Sequence, residues 1–350
     1  MDETPPVFDG HTDTLLDLAD PDRGDNRSFF DRTDTGHLDL PRARDGSYAG
    51  GLFAMFVPNA DPAYSFVETD DGYRIPYSSA VAGDRARRLT WTMLEHLDRL
   101  DRAARGDFRI TTSVSDIEAA MAADSLAAVP HLEGAAAIDS DLSNLSRFYD
   151  AGIRSIGITW SRPNDFGHGV PFRYPATPDT GPGLTDAGRD LVRACEDYGI
   201  LIDLAHLNEA GFWDVADVTT SPLVVSHAGV HAISPTTRNL TDEQLDAIAE
   251  SDGLVGIQFG VENLRPDGRN DPDTPITLVA DHVEYVADRI GVEHVALGTD
   301  FDGCTVPDAV GDATGLPAVL ESIRNRGFDL REIEAIAHRN WLRVLGEVWD

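Results

Sequence analysis

Apolar residues fall along this chain in two alternating textures: short continuous runs, and longer stretches with helical spacing. Continuous runs ended by Pro, Gly or polar residues suit strands buried on both faces. They occur at 7–13, 50–57, 126–133, 153–160, 200–206, 223–227, 254–259 and 294–300. Helical periodicity is clearest over 78–105, where Val81, Leu89, Met93, Leu97 and Leu100 recur on one face. Further helices are predicted at 113–122, with Ser113 as N-cap, and at 141–149, 185–198, 209–218, 241–250 and 276–290. The terminal segment also reads as helical. An irregular acidic stretch (20–46), a polar loop reaching Pro76 and a Pro/Gly-rich loop (161–183) interrupt the series.

Eight strands, mostly separated by helices and with no linker-like shift in composition, predict an α/β protein. The expected fold is a (β/α)8 TIM barrel with loop insertions and C-terminal helices, formed by one domain over 1–350. A doubly wound open sheet is the runner-up, but no Gly-x-Gly-x-x-Gly follows a strand to support a dinucleotide site.

Barrel enzymes carry their chemistry at the C-terminal ends of the strands. Here those ends hold His11 and Asp13, then His131 and Glu133, Asp203 and His206, His227, and finally Asp300 and Asp302. The second, fourth and seventh strands end in Pro58 and Asn59, in Trp160 and in Gly260. On a strand, His11 and Asp13 at i and i+2 share a face and could hold one cation; a turn capping the next helix is the competing reading. A single histidine such as His206 or His227 is more often core or cap than ligand, yet imidazole and carboxylate at five strand ends of one rim are hard to explain as packing. Such a donor set suits zinc, or manganese or iron with more oxygen ligands.

Composition narrows the chemistry. Acidic residues number 61 against 28 basic, giving a net charge of −33, and every basic residue is arginine. Without lysine there is no Schiff-base or pyridoxal-phosphate chemistry, no lysine-containing phosphate loop, and no carbamylated lysine to bridge two metals. A bridge must be Asp or Glu, and Glu133 is best placed. His11 and Asp13 then share one metal with Glu133, and His206 and His227 hold the second. Hydroxide between two such ions is a nucleophile near neutrality, since metals lower the pKa of bound water from 15.7 toward about 7. Asp300 is assigned to proton transfer. Arg238 offers a planar fork to a substrate carboxylate, although most arginines of so acidic a chain belong to the surface.

The acidic residues are spread along the whole chain, which fits a high-salt cytoplasm better than one acidic partner-binding patch. Such a surface disfavours nucleic acid and anionic membranes. No run of about 18 apolar residues is present to span a bilayer, and no secretory leader or anchor tail is evident at 1–6 or 347–350. The two cysteines, Cys195 and Cys304, are expected to be reduced, and a cytoplasmic location is expected.

Taken together, residues 9–13 (Asp-Gly-His-Thr-Asp), 132–134 (Leu-Glu-Gly), 202–206 (Ile-Asp-Leu-Ala-His), 225–227 (Val-Ser-His), Arg238-Asn239 and 298–303 (Gly-Thr-Asp-Phe-Asp-Gly) resemble the membrane dipeptidase (renal dipeptidase) family of the amidohydrolase superfamily. The resemblance implies a TIM barrel with two zinc ions per chain, other divalent metals being alternatives. One zinc would sit on His11 and Asp13, the other on His206 and His227, with Glu133 bridging. It implies that Arg238 binds the terminal carboxylate of a small dipeptide and that Asp300 acts near the scissile bond, with a D-residue tolerated at the C-terminal position. Mammalian members carry a substrate-contacting histidine where this chain has Trp160. The run 161–169, which includes Asn164 and His168, looks like the Trp-containing microbial version, and His168 or a zinc is expected to take over from that histidine. Trp160, Asn164 and Asn239 join Arg238 as expected substrate contacts. A homodimer is expected by resemblance alone. The rival readings are a binuclear amidohydrolase acting on other small amides, N-acyl amino acids or lactones, and a non-catalytic binding barrel.

Overall fold

A computed structural model describes residues 4–20, 23–24, 26–59, 67–69 and 71–349. Parts of the expected acidic stretch (21, 22 and 25), of the polar loop (60–66 and 70) and of the termini (1–3 and 350) lie outside the described residues.

Eight parallel strands follow one another around a nearly closed barrel: β1 (Val7–Thr12), β2 (Tyr48–Phe56), β3 (Leu126–Glu133), β4 (Ser155–Gly157), β5 (Leu201–Asp203), β6 (Val224–Ala228), β7 (Leu254–Ile257) and β8 (Val295–Leu297). Each pairs with its sequence neighbours, and β1 meets the end of β8 through a parallel bridge between Thr12 and Phe301. Asp300 N donates to His11 O at 3.0 Å, and Asp13 N to Phe301 O at 2.8 Å, so closure occurs at the C-terminal rim.

The interior of the lower barrel is apolar, with Phe8, Leu52, Val129, Leu201, Val224, Leu254 and Ala296 packed in one cluster. Trp341, in the C-terminal helix Asn340–Trp349, plugs this end and donates its indole N–H to Leu297 O at 3.0 Å. A Cβ on Gly10 would collide with both Trp341 and the Ser226 carbonyl, so only glycine admits the plug at that point of β1. Alternate strand residues face outward into a second, larger core beneath the helices.

Several predicted boundaries hold through their caps. Ser113 accepts from Asp116 N at 3.1 Å, Thr185 accepts from Gly188 N at 3.1 Å, and Thr241 forms a capping box with Gln244. Other strands stop short of their apolar runs: the ladder of β5 ends at Asp203 rather than at residue 206, and that of β8 at Leu297 rather than at residue 300. The chain turns there through left-handed backbone at His206 (φ 64°), Asp300 (φ 60°) and Asp302 (φ 67°). Non-glycine residues rarely adopt this conformation, and it recurs at functional sites.

Several short elements lie outside the predicted strands and helices. A short helix, Leu40–Asp45, is capped by Asp39. Strand Phe108–Ile110 pairs with β3. Strands Val67–Thr69 and Gly72–Arg74 join Arg173–Tyr174 in a small antiparallel sheet that ties the loop after β2 to the loop after β4.

Candidate active site

The strand ends deliver the expected donors to one point. His11 Nε2 lies 3.8 Å from Asp13 Oδ2 and 3.7 Å from Glu133 Oε2, while Glu133 Oε1 faces His206 Nε2 at 3.1 Å. His206 Nε2 and His227 Nε2 stand 3.0 Å apart, and the His11 and His227 rings are 3.9 Å apart between centroids. Three overlapping groups gather ligand atoms within 4.8 Å of one another: His11, Asp13 and Glu133; Glu133, His206 and His227; and His11, His227 and Asp300. Glu133 belongs to two of them, with one oxygen turned to each side.

Asp13 resolves the two readings of the opening motif in an instructive way. It follows β1 and occupies the N-cap position of the helix Thr14–Ala19, yet its side chain makes no capping bond. Its Oδ1 is buried without a hydrogen-bond partner, as are Glu133 Oε2 and both ring nitrogens of His11. Buried polar groups are normally satisfied, so several orphans converging on one point mark a place built for a ligand.

The tautomer of His227 strengthens that inference. Ser226 Oγ donates to Asp203 Oδ2 at 2.6 Å, because a carboxylate in that role only accepts. The same hydroxyl must therefore accept from His227 Nδ1–H, 2.8 Å away. His227 Nε2 is left as a lone pair aimed at His206 Nε2, and His206 Nδ1 is held in turn by Ser161 Oγ at 2.8 Å. Two imidazoles whose outer nitrogens are engaged and whose inner nitrogens converge with carboxylates form a site for divalent cations. The residues thus fit a metal pair.

Electrostatics agree. Burial, then the nearby Arg238 and His11 charges, hold His206 and His227 well below the ordinary imidazole range, so both are neutral donors. Burial opposes charge on His11, but Glu133 and Asp13 raise it well above the usual value; metal uptake would release that proton. Glu133 is raised to about 7 by burial and then by Asp13, and Asp300 is raised well above the carboxylate range by burial first. Gly303 is required here, because a Cβ at that position would strike both Asp13 Oδ2 and Asp300 Oδ1.

The remaining expected residues divide. Arg238 is buried beside the cluster and donates from Nη2 to His227 O at 3.0 Å. The Trp160 ring sits 5.6 Å from that of His206 and 5.0 Å from that of Phe56, forming an aromatic wall with Phe172. The amides of Asn164 and Asn239 are engaged with backbone. Asn164 binds Ile158 O, Phe166 N and Gly167 N, and Asn239 binds Gly229 N, Ser234 O and Asn263 O. Both shape the loops that carry Trp160 and Arg238. His168 Nδ1 faces Gly183 O at 3.4 Å.

Two of the strand-end acids and one histidine support the site rather than form it. Asp203 holds the Ser226–His227 chain, and His131 lies beneath His11, with Nδ1 on Ser155 Oγ at 2.9 Å. Asp302 accepts from Arg27 Nη2 at 2.7 Å, from Thr14 Oγ1 at 2.6 Å and from His37 N, pinning the loop before β2 to the rim. Ser226, Ser161, Asp9 and Thr299 lie inside the quoted stretches, yet sequence assigns them no role; Asp9 accepts from Thr299 N and Oγ1, both at 2.7 Å, a contact that only folding creates. Adjacency to His227 was the available signal for Ser226.

Known proteins correspond closely. A Rhodobacter sphaeroides metallo peptidase, solved with a phosphinate mimic of the dipeptide L-Ala-D-Ala, superposes with a TM-score of 0.95 at 42% identity over 99% of this chain and all of that one. A Klebsiella pneumoniae protein of the pqqA 5′ region is 46% identical over 271 residues, covering 77% of this chain and all of its own. The dipeptidase ataJ of Aspergillus terreus is 26% identical over 362 residues, covering 99% of this chain and 85% of its own. The model of the membrane dipeptidase family, peptidase family M19, matches residues 1–350. With its barrel and its divided Glu133 carboxylate, the chain belongs to the membrane dipeptidase family.

Proposed function

We propose that this metallo-dipeptidase cleaves dipeptides with two zinc ions, one held by His11 and Asp13, the other by His206 and His227, and Glu133 shared between them. The observation that carries the reading is the division of Glu133, one oxygen toward His11 and the other toward His206. Bound divalent ions supply Lewis-acid polarisation of the scissile carbonyl and make water acidic enough to act near neutrality.

The chain's own residues do the rest. Arg238 orients the substrate through its C-terminal carboxylate, a task suited to a buried guanidinium with donors to spare. Asp300 is the proton-transfer group: as a carboxylate it takes a proton from the attacking water, and the burial that raises its carboxyl favours holding that proton until it passes to the leaving amine. Trp160 and Phe172 close the side near His206 against bulk water.

The spread of negative charge supports function at high salt, and the free thiols Cys195 and Cys304 suit a reducing cytoplasm. Among the described residues no helix is long and apolar enough to cross a membrane. The deciding experiment is a panel of L-L and L-D dipeptides assayed at molar salt with added zinc, before and after chelation. Loss on chelation and recovery with zinc are expected, and undiminished activity in the chelated protein overturns the reading. If Arg238→Ala leaves dipeptide cleavage unchanged, the substrate is a small amide lacking the carboxylate.

A further inference from the structure

One carboxylate at the mouth has no part in the site described so far. Glu262 lies in the short helix Val261–Leu264 that follows β7. Its Oε2 is buried and has no hydrogen-bond partner. The turn before it is closely packed: a Cβ on Gly260 would stand 3.2 Å from Gln258 Oε1, 3.4 Å from Asn263 Nδ2 and 3.5 Å from Cys304 Cβ. Cys304 in turn donates Sγ–H to Asp300 O at 3.3 Å, which links the Glu262 turn to the turn that carries the proton-transfer group.

Asp300, Glu262 and Cys304 are each partly exposed at the C-terminal rim. Asn239, next to Arg238, donates from Nδ2 to Asn263 O, next to Glu262, at 2.8 Å, so the turns carrying the two charges adjoin. Burial raises the Glu262 carboxyl, and the Arg238 charge opposes that rise. Tyr73, from the small sheet over the mouth, feels both charges. Yet among the described residues neither Arg238 nor Glu262 has an ion pair within 4.0 Å. The adjoining turns therefore present a cation and an anion that do not neutralise each other directly.

A dipeptide held by Arg238 through its C-terminal carboxylate carries its last side chain on the carbon next to that carboxylate. We infer that Glu262 receives this side chain and selects dipeptides ending in a cationic residue, of the arginine or lysine class, while disfavouring an acidic one. The assignment rests on the dipeptidase reading above. A guanidinium or ammonium would give Oε2 the charge-assisted bond it lacks, whereas an Asp or Glu side chain would bring like charge into a buried site.

The test compares kcat/KM for L-Ala-L-Arg with that for L-Ala-L-citrulline, its uncharged near-isostere, and adds L-Ala-L-Ala and L-Ala-L-Glu. A bond to a charged group predicts an Arg-over-citrulline preference of about tenfold or more, with L-Ala-L-Glu the poorest substrate. Glu262→Gln should reduce that ratio to about twofold or less, the level at which no charge-assisted bond remains. Calorimetric binding of phosphinate dipeptide mimics ending in arginine or citrulline gives the same ratio without turnover. Equal rates for arginine and citrulline in the unsubstituted enzyme overturn the inference, whether or not the variant folds. So does a Glu262→Gln enzyme that slows all four substrates alike, since Glu262 then only offsets the Arg238 charge. Cleavage without selectivity leaves the dipeptidase reading standing, whereas no cleavage of any dipeptide overturns both.

Discussion

At the N-terminal end of the barrel, Trp341 fits under Phe8 with ring centroids 6.5 Å apart, and its one polar atom reaches Leu297 O. At the C-terminal end, His11 is as deeply buried, yet neither of its ring nitrogens has a hydrogen-bond partner. His282, in the helical wall, shows what a satisfied buried histidine looks like: Nδ1 accepts from Val230 N at 2.9 Å and Nε2 faces Leu264 O at 3.1 Å. Trp341 and His282 complete their hydrogen bonds from within the chain, and His11 does not; Ser125 Oγ and Thr111 Oγ1 also lack partners, but singly, whereas at the mouth several such groups converge. Burial alone therefore does not mark function here; unpartnered buried groups that converge on one point do.

The contrast is broken most severely at the mouth. Glu133→Gln should lower kcat/KM by about three orders of magnitude, since metal ions contribute several kcal/mol to charge stabilisation. The thermal midpoint of the metal-free protein should hold or rise, because an unsatisfied buried carboxylate disappears. Metal analysis with a melting curve separates the two effects.

At the floor the signs reverse. Trp341→Ala should cost about 3–5 kcal/mol of stability by opening a cavity, while the folded fraction keeps its KM and metal content. Denaturant unfolding alongside steady-state kinetics reads both.

The wall predicts a pH effect. His282 is held down to about 4 by burial, against an ordinary value of 6.5. Between those values the unfolded chain binds the extra proton, so stability rises with pH and is lost as acid moves from 6.5 toward 4. The contribution is about 3 kcal/mol. Unfolding of the metal-free protein across that window should show the slope, and His282→Gln should remove one proton's worth of it.

The smallest effect sharpens the comparison at the support of the mouth. Ser226→Ala removes the hydroxyl joining His227 to Asp203 and should weaken metal affinity by about 10–100-fold. With metal in excess, kcat should move less. Titration of the metal-free protein with zinc checks it.

Much of this was legible in the chain before any fold was known. The strand and helix series follows from hydrophobic periodicity and local caps, which nearby residues decide among themselves. The absence of lysine excluded a carbamylated bridge, and position at a strand end between His11-Thr12-Asp13 and the two later histidines pointed to Glu133. Strand ends also predicted the donors, because a barrel aims every such end at one mouth.

Tertiary structure decided what depends on a partner distant in sequence. Asp203 and Asp302 read like His206 or Asp300, yet one is consumed by Ser226 and the other by Arg27 and Thr14. Asn164 and Asn239 similarly end on backbone that folding brings to them. The tautomer of His227, the left-handed turns at His206 and Asp300, and the unpartnered oxygen of Glu262 arise only when strands far apart in sequence converge. Sequence alone thus determined which side chains reach the mouth, since alternation and strand order are local rules; which of them stay free to bind is a matter of neighbours, and those come with the fold.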